Sequence, residues 1–249
     1  MISLFLRTRL RRIAGLIAFA LLFLLSALAA RLLVGTEHGQ VEMGNLYLVG
    51  GYPLVSALLL LGWLIGRYAL IATLAMMAGL ISEDRANGTL RLYAVRPTSL
   101  TKLYLLKFAA CAAVVFVISS LLMPAFDLLL LGRWAGPSTF VLVLSYILVY
   151  GSLTFFLSVW MRGEVWVTVM LAIVALLWDA LIRSGKLATA APGIREVITV
   201  LLPPQSALFS IETAFGAETA LPLGAVMFVF AYSLILLVAG VVSLRLREL

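Results

Sequence analysis

One cysteine, Cys111, one histidine, His38, and 11 acidic residues in a chain of 249 leave few of the groups from which chemical sites are built. A lone cysteine cannot close an internal disulfide. A lone histidine without cysteines or carboxylates at ligand spacing gives neither a metal cluster nor a nucleophile–histidine pair. The phosphate cradle G-x-x-x-x-G-K-[ST] is also missing, since glycine precedes lysine only at Gly185-Lys186 and Leu187 stands where serine or threonine is required. No catalytic residue and no cofactor are expected on this chain. Long polar stretches are scarce too, and no internal repeat is evident.

What fills the chain is apolar. Hydrophobic residues make up 64% and charged residues 12%, against an apolar share of about 45 to 50% in soluble domains. The expected fold is an all-α integral membrane protein forming a single permease-like domain over residues 1–249, because a hydrocarbon core of about 30 Å takes about 20 apolar residues per helix. The net charge of +7 then bears on topology and anionic lipid rather than on nucleic acid. Six segments are long enough to cross: Ile13 to Val34, Val55 to Ile81, Leu105 to Leu131, Phe140 to Met161, Val165 to Ile182 and Leu221 to Leu244. The second is irregular, with a possible break at Gly66 and Arg67. Charge arbitrates: Arg7, Arg9, Arg11 and Arg12 precede the first span, while Arg85, Arg91, Arg96, Lys102 and Lys107 follow the second. Lysine and arginine favour the cytoplasmic side, so both flanks belong there and the region between returns once.

Arg162, Arg245 and Arg247 fall on the same side, which puts both termini in the cytoplasm of a prokaryotic cell whose membrane the chain crosses repeatedly. Trp160 and Trp166 flank the inner turn, and Trp134 and Trp178 sit near the outer ends, as interfacial aromatics do. The first apolar run is too long for a secretory signal and is read as an uncleaved span. Ile2 to Arg12 suits a short interfacial helix or a simple basic flank. Arg183 to Ala220 is the long outer connection, in which Ile194 to Leu202 is apolar enough to dip into the outer leaflet.

Three charges lie inside spans: Arg67, Asp127 and Asp179. Such residues face a partner or a wet cavity, because a central arginine costs about 2.5 to 3.5 kcal/mol on insertion scales. They are candidates for a translocation path. A structural ion pair of Arg67 with Asp127, or snorkelling, is the competing reading. Gly62 and Gly66 form a small-x-x-x-small pattern that fits close helix packing within the chain or between two copies, and Pro124 kinks or bends the third span.

The polar stretch Ile81 to Lys107 interrupts all this. Glu83, Asp84 and Arg85 follow the second span, then Gly88 and Thr89, then the apolar positions Leu90, Leu92, Tyr93 and Val95 before Arg96-Pro97. A short amphipathic helix beginning near Thr89 would have a capping residue, acidic groups near its positive end and a proline that stops it. Lys102 and Lys107 would anchor the far end in the headgroups. An ordinary solvated loop is the alternative.

The order of an acidic residue, Glu83, then Gly88-Thr89-Leu90, Arg96-Pro97 and Lys107 at the opening of the third span resembles the permease subunits of type-2 ABC exporters. The six-span layout and Leu201-Leu202-Pro203, similar to that family's outer re-entrant region, extend the resemblance over nearly the whole chain, although only Glu83 to Lys107 is specific. The resemblance implies a coupling helix docking on a separate ABC ATPase, present in two copies that carry the ATP and Mg. It also implies a pairing of two permeases, expected as a homodimer, with the path between them and an amphipathic or lipid-like compound, natural product or cofactor-related cargo moved outward. Glu83, Asp84, Arg85, Gly88, Thr89, Leu90, Arg96 and Pro97 would then transmit force. A secondary carrier or channel-like protein without an ATPase stays open beside it.

Overall fold

The computed structural model describes residues 5, 9–34, 36–37, 40–41, 56, 60, 62–88, 99–130, 132, 136–185, 192–216 and 220–248. Among these, helix dominates. Helix α1 is Leu10–Val34; strands β1 (Thr36–Glu37) and β2 (Gln40–Val41) form a two-stranded antiparallel ladder; then come α2 (Tyr68–Met77), α3 (Ser82–Ala86), α4 (Leu100–Leu130), α5 (Ser138–Trp160), α6 (Glu164–Arg183), α7 (Pro192–Leu201), α8 (Gln205–Gly216) and α9 (Leu223–Glu248). Five of them, α1, α4, α5, α6 and α9, are long and apolar enough to cross a membrane. The chain is a multi-helix bundle compatible with a multi-pass membrane protein.

Contacts at the ends fix the direction of each helix. Arg9, just before α1, reaches the carbonyls of Met76 and Ala78 at the end of α2. Asp84, just after α2, holds Lys107 near the start of α4, and Arg85 holds Val159 at the end of α5. At the opposite end Arg31 donates to the Leu128 carbonyl at 3.3 Å. Helices α1, α4 and α6 therefore run away from the end that carries Arg9, called the basic end below, and α2, α5 and α9 run toward it.

The chain between α1 and α4 must return across the bundle, and its described part is broken. Residues 62–66 are helical, Arg67 forms a turn with φ −109° and ψ 7°, and α2 then continues to Met77. The break considered at Gly66 and Arg67 is present at Arg67, and helical hydrogen bonding stops at Met77, short of the Ile81 expected as the end of the span, with Gly79 in a left-handed φ of +70°. Glycine occupies that conformation without the steric cost a Cβ brings.

Helix α5 occupies the centre, packed against α2, α4, α6, α8 and α9. Two glycines let neighbours approach. Gly151 faces the Phe108 ring and Met77, and Gly240 of α9 sits against the Phe155 ring. Buried serine and threonine hydroxyls of α5 are satisfied within the helix, since Ser145, Ser152, Thr154 and Ser158 each donate to a carbonyl three or four residues earlier. The periphery is apolar instead: Leu21, Leu22 and Leu25 of α1, Trp166 and Met170 of α6, and Met227 and Ile235 of α9 are exposed. Such an apolar exterior is what lipid, not water, would solvate.

Helices α7 and α8 meet at a 75° bend across residues 202–204, where Pro203 and Pro204 withhold two backbone donors. Helix α6 ends and α9 begins at the far end, so this pair enters and leaves the bundle from one side. Its apex is pinned inside, with the Tyr150 hydroxyl donating to Gln205 Oε1 at 3.0 Å and Trp178 Nε1 to Thr199 Oγ1 at 3.1 Å.

Candidate functional site

The densest polar cluster among the described residues surrounds α3 at the basic end. It is built from residues that terminate helices. A helix C-terminus leaves carbonyls without N–H partners and carries partial negative charge. Arg9 answers this for α2, with Nη1 donating to the Met76 carbonyl at 2.5 Å and the Ala78 carbonyl at 2.7 Å, and Arg12 Nη1 also donates to Ala78. Arg85 does the same for α5, donating to the Val159 carbonyl at 2.7 Å.

Four consecutive side chains of α3 then engage four different helices. The Ser82 hydroxyl donates to Glu164 Oε1 of α6 at 2.9 Å, and that oxygen also accepts the Gly79 N–H at 2.7 Å. Glu83 accepts from Arg12 of α1 at 2.5 Å, with Arg9 at 3.7 Å. Asp84 accepts from Lys107 Nζ at 2.5 Å and the Tyr104 hydroxyl at 3.0 Å, both on α4. Arg85 takes α5 as described. A single turn of helix thereby links α1, α4, α5 and α6.

The contacts differ in strength. The Lys107–Asp84 side chains are only 8% and 21% exposed, whereas those of Arg12 and Glu83 are 33% and 52% exposed. Lys107 is further enclosed by the Phe5 and Tyr104 rings at 5.2 and 4.9 Å, which corrects the expectation that it snorkels into headgroups. Burial, reinforced by Arg12, lowers the pKa of Arg9 from its ordinary value, while Glu83 and Asp84 oppose the shift. Phe5, Arg9, Arg12, Glu83, Asp84 and Lys107 border a cavity of about 110 Å³ beside Gly79 and Leu80.

Compared with known proteins, the chain matches no family model, no curated protein and no solved structure. Its function must be argued from the geometry.

Of the residues expected to transmit force, Glu83, Asp84 and Arg85 come together in α3. Gly88 follows with a left-handed φ of +70° and open space where a side chain would project. Thr89, Leu90, Arg96 and Pro97 lie outside the described residues, as does the short helix expected near Thr89; the helix that is described begins earlier, at Ser82.

The three charges within spans are not gathered. Arg67 pairs with Glu212 of α8, at 3.4 Å, and stacks over the Trp63 ring at 4.6 Å. Its partner is therefore not Asp127. Gly66 lies next to the same carboxylate, while Gly62 faces open space. Asp179 pairs with Arg183 one turn along α6 at 2.5 Å. Asp127 keeps a buried carboxylate oxygen with no hydrogen-bond partner among the described residues.

Arg9, Arg12, Tyr104, Glu164 and Glu212 were not singled out by the sequence. The arginines looked like orientation signals, and nothing local marks a carboxylate at residue 164 as the acceptor for residues 79 and 82. Glu212 carried a faint sign, being an acidic residue inside an apolar helix beyond a double proline.

Proposed function

We propose that the chain is the membrane permease subunit of a type-2 ABC exporter. In this reading it spans a prokaryotic cytoplasmic membrane six times, with the basic end and both termini inside, the broken second segment as a crossing and α7–α8 as an outer re-entrant hairpin. Two copies pair, and each meets an ABC ATPase that carries ATP and Mg. An amphipathic or lipid-like compound, natural product or cofactor-related cargo moves outward between them.

The observation that carries the proposal is the linkage of α1, α4, α5 and α6 by Ser82, Glu83, Asp84 and Arg85. These residues lie directly before the amphipathic stretch Thr89 to Pro97. A displacement imposed on that stretch would reach four helices together through short polar contacts rather than dissipate in a loop. No nucleotide cradle is present in these 249 residues, so in this reading the displacement comes from an ATPase outside them. Asp127, which has no ion pair among the described residues and a buried oxygen without a hydrogen bond, is the span charge left for the path in this reading; Arg67 and Asp179 are held in ion pairs, although Arg67 Nε is also without a hydrogen-bond partner.

That same unpartnered carboxyl favours the second reading, a proton-linked secondary carrier. Proteoliposomes containing the permease, with and without a candidate ABC ATPase, separate the two. The proposal expects export only with a hydrolysis-competent ATPase and ATP. Export driven by a proton gradient alone and abolished by Asp127→Asn would overturn it.

A further inference from the structure

The start of α4 and the end of α9 enclose a second, larger feature at the basic end. It is a cleft of about 690 Å³ with Ser99, Thr101, Lys102 and Arg245 at its polar end and Leu105, Leu106 and Ala109 below them. Along α4 the sequence grades from polar to apolar away from the basic end. Lys102, then Leu105 and Leu106, then Ala109 recur at helical spacing, so they line one face. All four are exposed, as is Arg245 on the opposite wall. Neither Lys102 nor Arg245 has an ion pair among the described residues, in contrast to Arg9, Arg12 and Lys107 nearby.

We propose that this cleft is a binding site for one anionic phospholipid, its phosphodiester held between Lys102 and Arg245 and an acyl chain laid along Leu105, Leu106 and Ala109. Two unpaired cations above an apolar wall match an amphiphile carrying a negative head. A protein partner would demand polar groups along the lower wall, where the cleft offers only Leu105, Leu106 and Ala109. A free anion would make no use of that wall. The site lies apart from the contacts of α3 and requires only that the bundle sit in a bilayer, so it stands or falls independently of any ATPase.

The test is native mass spectrometry of detergent-purified protein given dioleoyl-phosphatidylglycerol or dioleoyl-phosphatidylcholine. One phosphatidylglycerol per chain should be retained in preference to phosphatidylcholine. Lys102→Gln or Arg245→Gln should each weaken retention about fivefold, and the double variant about thirtyfold. Ala109→Trp fills the apolar wall without changing charge and should also release the lipid, while Arg11→Gln, an exposed arginine of the same end outside the cleft, should not. Equal retention of both lipids, equal loss in Arg11→Gln, retention in Ala109→Trp, or displacement by inorganic phosphate would each overturn the site.

Discussion

Solvent separates the two ion pairs that α3 makes through adjacent carboxylates. Removing one member of a buried pair leaves the other charge desolvated and unpaired, which costs about 3 to 5 kcal/mol, whereas an exposed pair contributes about 0 to 1 kcal/mol. Lys107→Gln should therefore lower stability in detergent by about 3 kcal/mol and Glu83→Gln, at the exposed pair, by less than about 1 kcal/mol, measured by chemical denaturation followed by helical circular dichroism. Loss of similar size in both would mean that burial does not rank these contacts. The two left-handed glycines make a second contrast. Any Cβ at φ near +70° costs about 1 to 2 kcal/mol, but at Gly79 it would also run into the Glu83 side chain, while Gly88 has room. Gly79→Ala should accordingly be the more damaging change in the same measurement.

Residue roles at this site were legible only in part. Glu83, Asp84 and Arg85 stand out because charge is rare in this chain and they follow an apolar run. Their partners do not stand out. Arg12 and Glu83 are far apart in sequence, as are Ser82 and Glu164, and a single sequence holds no signal of such pairings. Arg67 could be recognised as needing a partner, because an unpaired charge in a span is costly. Its partner was missed because Glu212 sits in a segment read as part of an outer loop.

Hydropathy located the long helices well and their ends poorly. Helix α4 begins at Leu100, a turn or more before the apolar run that starts at Leu105, because Thr101 and Lys102 are hydrogen-bonded as helix although they are polar. An apolar run marks where lipid or core contact lies, not where the backbone ladder stops. The second segment was ambiguous for a related reason: composition cannot distinguish one helix from two that meet at Arg67. Packing was hidden as well. Which glycines serve close approach is decided by the facing element, and the structure selects Gly240 over Gly224. Gly240→Leu should disrupt the α5–α9 contact through the Phe155 ring, with a fall in thermal stability of several degrees, and Gly224→Leu, with no atom nearby, should leave it unchanged. Differential scanning fluorimetry of the two variants checks this.

At the scale of the whole molecule, the basic end and the far end have different characters. Four helices are cross-linked through α3 at the basic end, while the far end holds a bent helix pair pinned by Tyr150, Trp178 and the Arg67–Glu212 pair. Such an arrangement suits a bundle that receives force at one end and rearranges at the other. The ATP-driven reading requires that the stretch following α3 touch another protein. A photo-reactive phenylalanine analogue placed at Tyr93 tests this in intact membranes containing a candidate ABC ATPase. The account predicts a cross-link to that ATPase from position 93, and none from Trp166, which projects at the same end but on the exposed apolar side of α6. Absence of an ATPase adduct at position 93, while the chain is folded and export proceeds, would contradict it.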